Sequence, residues 1–158
     1  MDKMEEVLIE PMTAADYEDV HALWLTIRGF GIRALDDSRE DVCRFIDRNP
    51  TTSVVARLPG GRIVGSILCG SDGRQGSLYH VCVAQEYRRR RIGARMVGYC
   101  MQQLRSMGIN KVSLIAFTRN DAGNAFWKGI GWTRNANVNY YEFVLNEKNI
   151  TRFIGENG

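Results

Sequence analysis

The sequence predicts a mixed fold in the borderland of the α/β and α+β classes, with a mostly antiparallel central sheet of about six to seven strands and helices on both faces. Three observations predict it. Apolar residues recur at helical spacing in four segments, and β-branched and apolar runs of strand length lie between them. Glycine-rich turns, Pro59-Gly60-Gly61 and the segment 70–76, join the middle strands as antiparallel hairpins.

The predicted elements follow the order β-α-α-β-β-β-α-β-α-β. Local signals set their limits: Thr13, Ser38 and Asn120 are typical helix N-caps, and Gly108 is a typical C-cap. In the first half we expect a strand over 7–10, a helix over 14–27, a loop over 28–37, a helix between Ser38 and Asn49, and strands over 53–58, 62–69 and 77–84. In the second half we expect a helix over 92–107, a strand over 111–117, a helix over 121–130 and a strand over 140–145. A short strand over 132–135 would be the seventh.

The composition is that of one ordinary globular domain, which we expect to span residues 1–158 with a frayed tail over 147–158. The chain is 44% apolar and 25% charged, and no apolar run approaches the roughly 20 residues that span a bilayer. Because the first residues lack the apolar core of a secretory signal, the sequence favours a cytoplasmic protein without membrane partners.

Cysteines and histidines argue against disulfide and metal chemistry. The four cysteines are widely spaced in apolar contexts, which favours buried free thiols, and two histidines at distant positions form no recognisable ligand set. We therefore expect no metal. These residues are Cys43, Cys69, Cys82, Cys100, His21 and His80.

A basic turn between a strand and a helix is the most informative segment. The residues Arg88-Arg89-Arg90-Arg91 precede a helix that begins with Ile92, Gly93 and Ala94. The first turn of a helix offers unpaired N–H groups, small residues let the backbone approach a ligand, and guanidinium groups bind phosphate oxygens. The pattern favours a diphosphate site, although a solvated basic face or a nucleic-acid patch is the alternative for the arginines alone.

This segment resembles the acetyl-CoA signature of the GNAT superfamily of N-acetyltransferases, Q/R-x-x-G-x-G/A after V-x-x-x-Y. Val83 and Tyr87 precede the match, Arg88 takes its first position and Gly93 its last glycine. Arg91 replaces the first glycine, and we expect that this weakens cofactor binding without abolishing it. A second segment, 120–132, is similar to the family's later signature N-x-x-A-x-x-F/L-Y-x-x-x-G-F through Asn120, Phe126, Gly131 and Trp132.

The resemblance implies a sheet that splays at the cofactor site and an acetyl-CoA cosubstrate whose pantetheine arm lies in the gap. It implies an amine acceptor and, since many members are dimers, a homodimer as a possible assembly; nucleic acid is not an expected partner. The residues that it assigns to the cofactor are backbone groups of Val81, Cys82 and Val83, the pyrophosphate cradle Arg88, Arg89, Arg90, Arg91, Ile92, Gly93 and Ala94, and the flanking Asn120, Asn124, Trp127 and Lys128.

The reaction that the resemblance implies is direct attack of a primary amine on the thioester, but two familiar catalytic groups are missing. The position of the usual tyrosine acid is Trp127, and that of the glutamate base is Ile115. The nearby candidates are His80 and Tyr79. Because adjacent strand residues face opposite sides of a sheet, only one of these two is expected to reach the cleft. Histidine changes charge near neutral pH and suits a base, with a structural histidine as the alternative.

Two functions remain open from the sequence. One is an N-acetyltransferase for a small-molecule, peptide or protein amine; the other is a module that binds CoA or acyl-CoA with little turnover. Tyr140 and Tyr141 are weaker candidates for the acceptor site, and Cys82 is expected to be a packed side chain without a base beside it.

Overall fold

A five-stranded sheet forms the middle of the protein in the computed structural model, which describes residues 6–155. In the order in which they lie in the sheet, its strands are β1 (Leu8–Pro11), β3 (Val54–Arg57), β4 (Ile63–Ser71), β5 (Gly76–Val83) and β6 (Val112–Ser113). Neighbouring strands are antiparallel except for the parallel pair β5–β6. This confirms the predicted mixed, mostly antiparallel sheet.

Helices cover both faces of the sheet, as the sequence predicts. They are α1 (Tyr17–Trp24), α2 (Arg39–Arg48), α3 (Ile92–Ser106) and α4 (Asp121–Gly129). On one face the indole N–H of Trp24 in α1 donates to Ser66 Oγ of β4 at 3.2 Å. On the other, Met96 of α3 packs where a Cβ on Gly65 would lie only 2.9 Å from it. The absence of a side chain at Gly65 therefore lets α3 approach the sheet.

The predicted caps are present. Ser38 Oγ accepts from the Asp41 amide at 3.2 Å at the start of α2. Asn120 Oδ1 accepts from the Gly123 amide at 3.0 Å at the start of α4. Both bonds satisfy amides that the first turn of a helix leaves without a partner. The first helix is shorter than predicted, because residues 14–16 form a 3₁₀ turn and α1 ends at Trp24.

The structure differs from the predicted strands and connecting segments in several places. The expected loop 28–37 contains β2 (Gly31–Arg33), which pairs antiparallel with β7 (Thr151–Phe153). The latter lies in the tail expected to fray, of which residues 156–158 lie outside the described part. Conversely, 111–117 pairs only over β6, and neither 132–135 nor 140–145 forms a strand. A strand exists only where a partner supplies hydrogen bonds, and local composition does not reveal the partner.

Two further properties of the described residues concern membrane-spanning helices and metal binding. No helix within residues 6–155 combines the length and the apolar character needed to cross a membrane. In the same part of the chain, no cluster of three or more His, Cys, Asp or Glu side chains could hold a metal ion.

Candidate functional site

Strands β5 and β6 diverge soon after they meet. Their pairing is limited to Gly76 with Val112 and Ser77 with Ser113. From Leu78 onward, no described strand pairs with this edge of β5, whereas its other edge remains bonded to β4. The result is an open strand edge that leads directly to the arginine turn and the start of α3.

A β-bulge interrupts β5 at His80. Leu68 of β4 pairs with Tyr79, while Ser66 pairs with Cys82, so β5 holds one residue more than β4 between these pairs. His80 adopts the left-handed conformation, with φ of 50°. The extra residue breaks the alternation of side chains, which turns Tyr79, His80 and Cys82 toward the face that carries α1 and α2. The premise that Tyr79 and His80 face opposite sides of the sheet was therefore wrong.

His80 is held by a buried carboxylate. Its Nε2 lies 2.9 Å from Asp37 Oδ1, and its ring centre is 4.7 Å from that of Trp24 and 5.1 Å from that of Phe30. The side chain of His80 keeps 18% of its surface exposed, whereas Asp37 is buried. The second oxygen of Asp37 accepts from the amide of Arg33 at 2.7 Å, so both carboxylate oxygens have partners.

The turn before α2 fixes the position of Asp37. The amide of Asp37 donates to the carbonyl of Arg33 at 3.1 Å, and the carbonyl of Asp37 accepts from the Tyr17 hydroxyl at 2.7 Å. In the sequence, Asp37 is one of several charged residues of the predicted loop 28–37, which fits a polar acceptor or an ordinary solvated loop. Because 43 positions separate it from His80, no local spacing could have paired the two.

Tyr79 borders a cavity of about 290 Å³ on the same face. Its ring packs edge-to-face against Phe45 of α2 at 6.0 Å, and about half of its surface is exposed. Arg48, Ser71 and Asp72 add polar groups to the rim of this cavity.

Cys82 is a packed side chain, as expected. Its Sγ lies 3.6 Å from Ser66 Oγ beneath α1, and burial raises the pKa of its thiol to about 12. A thiol with such a pKa is almost entirely protonated at neutral pH and is a poor nucleophile. Cys82 can therefore serve a ligand through its backbone only.

The arginine turn owes its shape to two left-handed residues. Arg89 and Arg91 have φ of 64° and 62°, and Arg91 occupies the N-cap of α3. Glycine adopts this conformation without strain, which explains why the family signature has glycine at the position of Arg91. Arg88 Nε donates to the Val83 carbonyl at 3.1 Å, so the turn is tied back to the end of β5.

The start of α3 lies against α4. A Cβ on Gly93 would be 3.2 Å from Phe126 Cζ and 3.9 Å from a methyl of Val83. The small residue thus brings the helix start, the end of β5 and α4 to one point. Ile92 is buried, so its side chain faces the core and only its amide could serve a ligand.

The remaining predicted residues build or cover α4. Asn120 caps the helix, and Asn124 Nδ2 donates to the carbonyls of Phe117 and Asn120 at 2.9 and 2.8 Å. The Trp127 ring centre lies 4.8 Å from that of Trp132, while Lys128 is exposed. The structure therefore brings residues 81–83, 88–94 and α4 together at one end of β5.

Known proteins share this sequence pattern and this fold. The sequence model of the acetyltransferase (GNAT) family matches residues 17–132. An acetyltransferase of Sodalis glossinidius is 33% identical over 107 residues, which are 68% of this chain and 73% of that protein. Two solved structures are similar in fold. Ard1 from Thermoplasma volcanium has a TM-score of 0.69 and 20% identity, and the match covers 82% of this chain and 84% of that one. The aminoglycoside N-acetyltransferase AAC(6')-Iy in complex with CoA has a TM-score of 0.68 and 12% identity, and the match covers 90% of this chain and 98% of that one.

Proposed function

The chain belongs to the acetyltransferase (GNAT) family and uses acetyl-CoA, and we propose that His80 is the general base that activates the acceptor amine. The contact of His80 with buried Asp37 is the observation that carries this proposal. Acetyl transfer to an amine needs a neutral amine, a polarised carbonyl and a proton for the departing thiolate.

The open edge of β5 and the start of α3 suit acetyl-CoA. Beyond Ser77, backbone groups of residues 81–83 lie on an edge that no described strand occupies, and they can bond the pantetheine amides as a strand would. At the end of this edge, the first amides of α3 and the guanidinium groups of residues 88–91 supply donors and positive charge for the pyrophosphate. We assign the side chains of α4 to the flank of the same gap, since Phe126 touches the position of Gly93.

The bond to Asp37 sets which nitrogen of His80 can accept a proton. An ionised carboxylate only accepts hydrogen bonds, so Nε2 carries the hydrogen and Nδ1 of the neutral ring is the acceptor. Trp24 and Phe30 pack against the His80 ring and lower the polarity around the pair, which strengthens the hydrogen bond.

Proton transfer to His80 accompanies the formation of the new bond. His80 Nδ1 takes a proton from the amine as the amine nitrogen bonds to the acetyl carbon. A strand N–H near Cys82 stabilises the negative charge on the carbonyl oxygen, and the carbon–sulfur bond breaks to release the CoA thiolate. Protonated His80, or the solvent, returns a proton to the sulfur.

The acceptor approaches from the face that carries α1 and α2, because Tyr79 and His80 both turn to that face. The cavity beside Tyr79, with Arg48 and Asp72 on its rim, gives this approach a polar lining. A primary amine of a small molecule, a peptide or a protein fits these requirements equally.

The test compares two histidines. In His80→Asn the side chain tolerates the left-handed backbone of the bulge but cannot take up a proton, so kcat for CoA release in the presence of amines should fall about a hundredfold. The affinity for CoA, measured by calorimetry, should stay within a factor of two of the wild type.

His21→Asn is the matched control, since His21 lies on α1 and its ring contacts those of Tyr17 and Trp24 rather than that of His80. It should leave kcat unchanged. An unaltered kcat in folded His80→Asn, or an equal loss in both variants, removes His80 from the mechanism.

A further inference from the structure

The cavity beside Tyr79 has a floor that packing and hydrogen bonds hold in place. Asn49 is buried at the end of α2, where its Nδ2 donates to the Phe45 carbonyl at 3.2 Å and its Oδ1 accepts from the Ser71 amide at 2.9 Å. A Cβ on Gly70 would lie only 2.6 Å from the Phe45 ring, so the glycine lets α2 come this close to β4. The cavity is therefore a built feature of the fold, since the two elements that form it are joined through buried groups.

Two opposite charges line this cavity without meeting each other. Arg48 is the last residue of α2, and Asp72 lies in the turn between β4 and β5. Among residues 6–155, they form no ion pair with each other, and Arg48 has no other ionic or hydrogen-bonding partner. Arg44, one turn earlier in the helix, is by contrast paired with Asp41 at 3.0 Å. A guanidinium and a carboxylate on one cavity can together bind a ligand that carries both charges.

The turn between β4 and β5 fixes the carboxylate of Asp72. Its Oδ1 accepts from the amides of Gln75 and Arg74 at 3.0 and 2.8 Å. These two bonds hold the pKa of Asp72 below its ordinary value, so the carboxylate is ionised at neutral pH. In the described part of the chain Oδ2 has no partner, which leaves it available to an ammonium group.

An aromatic wall separates these charges from His80. The rings of Phe45 and Tyr79 meet edge-to-face at 6.0 Å on this wall. Gly76, which faces the end of β4 beside Asp72, lies four residues before His80 in β5. Four residues of a strand span about 13 Å, and the side chains shorten the gap that a ligand has to cross. A ligand that reaches both places has a charged head, an apolar stem and a reactive group at the far end.

With His80 as the base proposed above, we propose that the acceptor of this acetyltransferase is an α-amino acid with a second amine at the end of its side chain, as in lysine and ornithine. Arg48 binds the carboxylate, and Asp72 binds the α-ammonium group. The aliphatic stem packs on Phe45 and Tyr79, and the terminal amine reaches His80. A cavity of about 290 Å³ is at the small end of ligand pockets, which favours a free amino acid over a folded protein.

This arrangement decides which nitrogen is acetylated. The α-amine stays protonated beside Asp72 and has no electron pair for attack, whereas the terminal amine loses its proton to His80. The terminal nitrogen bonds to the acetyl carbon, the carbon–sulfur bond of acetyl-CoA breaks, and the proton taken from the amine ends on the released sulfur. The products are CoA and an amino acid that carries the acetyl group on its side-chain nitrogen.

The first experiment compares amines that each lack one charge of the head. L-lysine, cadaverine (without the carboxylate) and ε-aminocaproate (without the α-ammonium group) present the same primary amine at the end of an aliphatic chain. In assays of CoA release, kcat/KM for L-lysine or L-ornithine should exceed that for either of the other two about tenfold or more. Mass spectrometry should find the acetyl group on the terminal nitrogen. An equal or higher kcat/KM for cadaverine or ε-aminocaproate, or acetylation of the α-nitrogen, would overturn the proposal.

The second experiment removes the charges of the protein one at a time. Arg48→Gln should raise KM for lysine about tenfold but should not raise KM for cadaverine. Asp72→Asn keeps the Oδ1 that accepts from the turn, and it should raise KM for lysine but not for ε-aminocaproate. Arg44→Gln is the matched control, because Arg44 lies on the same helix outside the cavity. Equal changes for all three amines, or the same change in Arg44→Gln, would contradict the assignment of the head group.

Calorimetry separates this proposal from the assignment of the base. Lysine should bind to CoA-saturated His80→Asn with nearly wild-type affinity, since the head group does not touch His80, and adding Arg48→Gln should weaken this binding about tenfold. If this binding pattern holds while kcat of His80→Asn is unchanged, the base is wrong and the acceptor class stands. If neither lysine nor ornithine binds to a wild type that acetylates other amines, the acceptor class is wrong and the acetyltransferase activity stands.

Discussion

Replacing Gly93 with glutamate tests whether the start of α3 binds the pyrophosphate of acetyl-CoA. The new side chain begins at the junction of β5 and α4, where a Cβ lies 3.2 Å from Phe126 and 3.9 Å from Val83. It therefore brings bulk and a negative charge to the point where the open strand edge meets the helix start.

The expected loss of affinity follows from Coulomb's law. A carboxylate about 5 Å from one phosphate charge repels it by roughly 3 kcal/mol at an effective dielectric constant of 20, and by under 1 kcal/mol in bulk water. Gly93 is half-buried, so we expect a loss of about 1–3 kcal/mol, which corresponds to a roughly 5- to 150-fold weaker affinity for CoA.

Gly98→Glu is the matched control on the same helix. Gly98 is exposed, and a Cβ there has no neighbour within 4 Å. It lies about 7.5 Å farther along the axis, where repulsion in water costs only some tenths of a kcal/mol and changes affinity less than about twofold.

Calorimetric titration with CoA at low and moderate salt provides the assay, with thermal melts to confirm folding. Gly93→Gln, which has the same bulk without the charge, separates the two contributions, and only the charged variant should recover affinity as salt rises. Equal CoA affinity in folded Gly93→Glu and Gly98→Glu would refute the assignment of the pyrophosphate site.

Three more outcomes follow from the geometry of the site. Arg91→Gly should raise the melting temperature by about 2–4 °C, because glycine relieves roughly 1 kcal/mol of left-handed strain; a lower value would contradict this. A thiol reagent at pH 8 should label half-buried Cys43 well before Cys82. Burial raises the pKa of the Cys82 thiol to about 12, so roughly one Cys82 in ten thousand is a thiolate at this pH. Equal labelling rates of the two cysteines would be inconsistent with the burial of Cys82. Asp37→Asn should lower kcat about tenfold or more at unchanged CoA affinity. The new amide can donate to His80 Nε2, which favours the tautomer with the hydrogen on Nδ1. In a His80→Asn background, Asp37→Asn should have no further effect on kcat.

Elements with local signals were predicted well. Side-chain caps at Ser38 and Asn120, the turn between β3 and β4, and the limits of α3 all depend on residues within a few positions of one another. The same holds for the basic turn, since a strand end, a run of arginines and a glycine are consecutive in the chain.

Features that depend on distant partners were missed. The pairing of β2 with β7 joins residues about 120 positions apart, and Gly31 fits there because Thr151 and Phe153 leave no space for a side chain. The bulge at His80 arises from the register of β5 against β4, which side-chain alternation along β5 alone does not reveal.

The sequence by itself determined the class of fold, the order of its main elements and the segment that suits a diphosphate, because helical period, turn chemistry and charge are local properties. Only the tertiary structure decided that His80 meets Asp37, that Arg91 adopts a left-handed backbone, and that residues 140–145 stay exposed outside any strand. Each of these features depends on contacts that form only in the folded protein. Such contacts join residues far apart in sequence, so no local pattern specifies them.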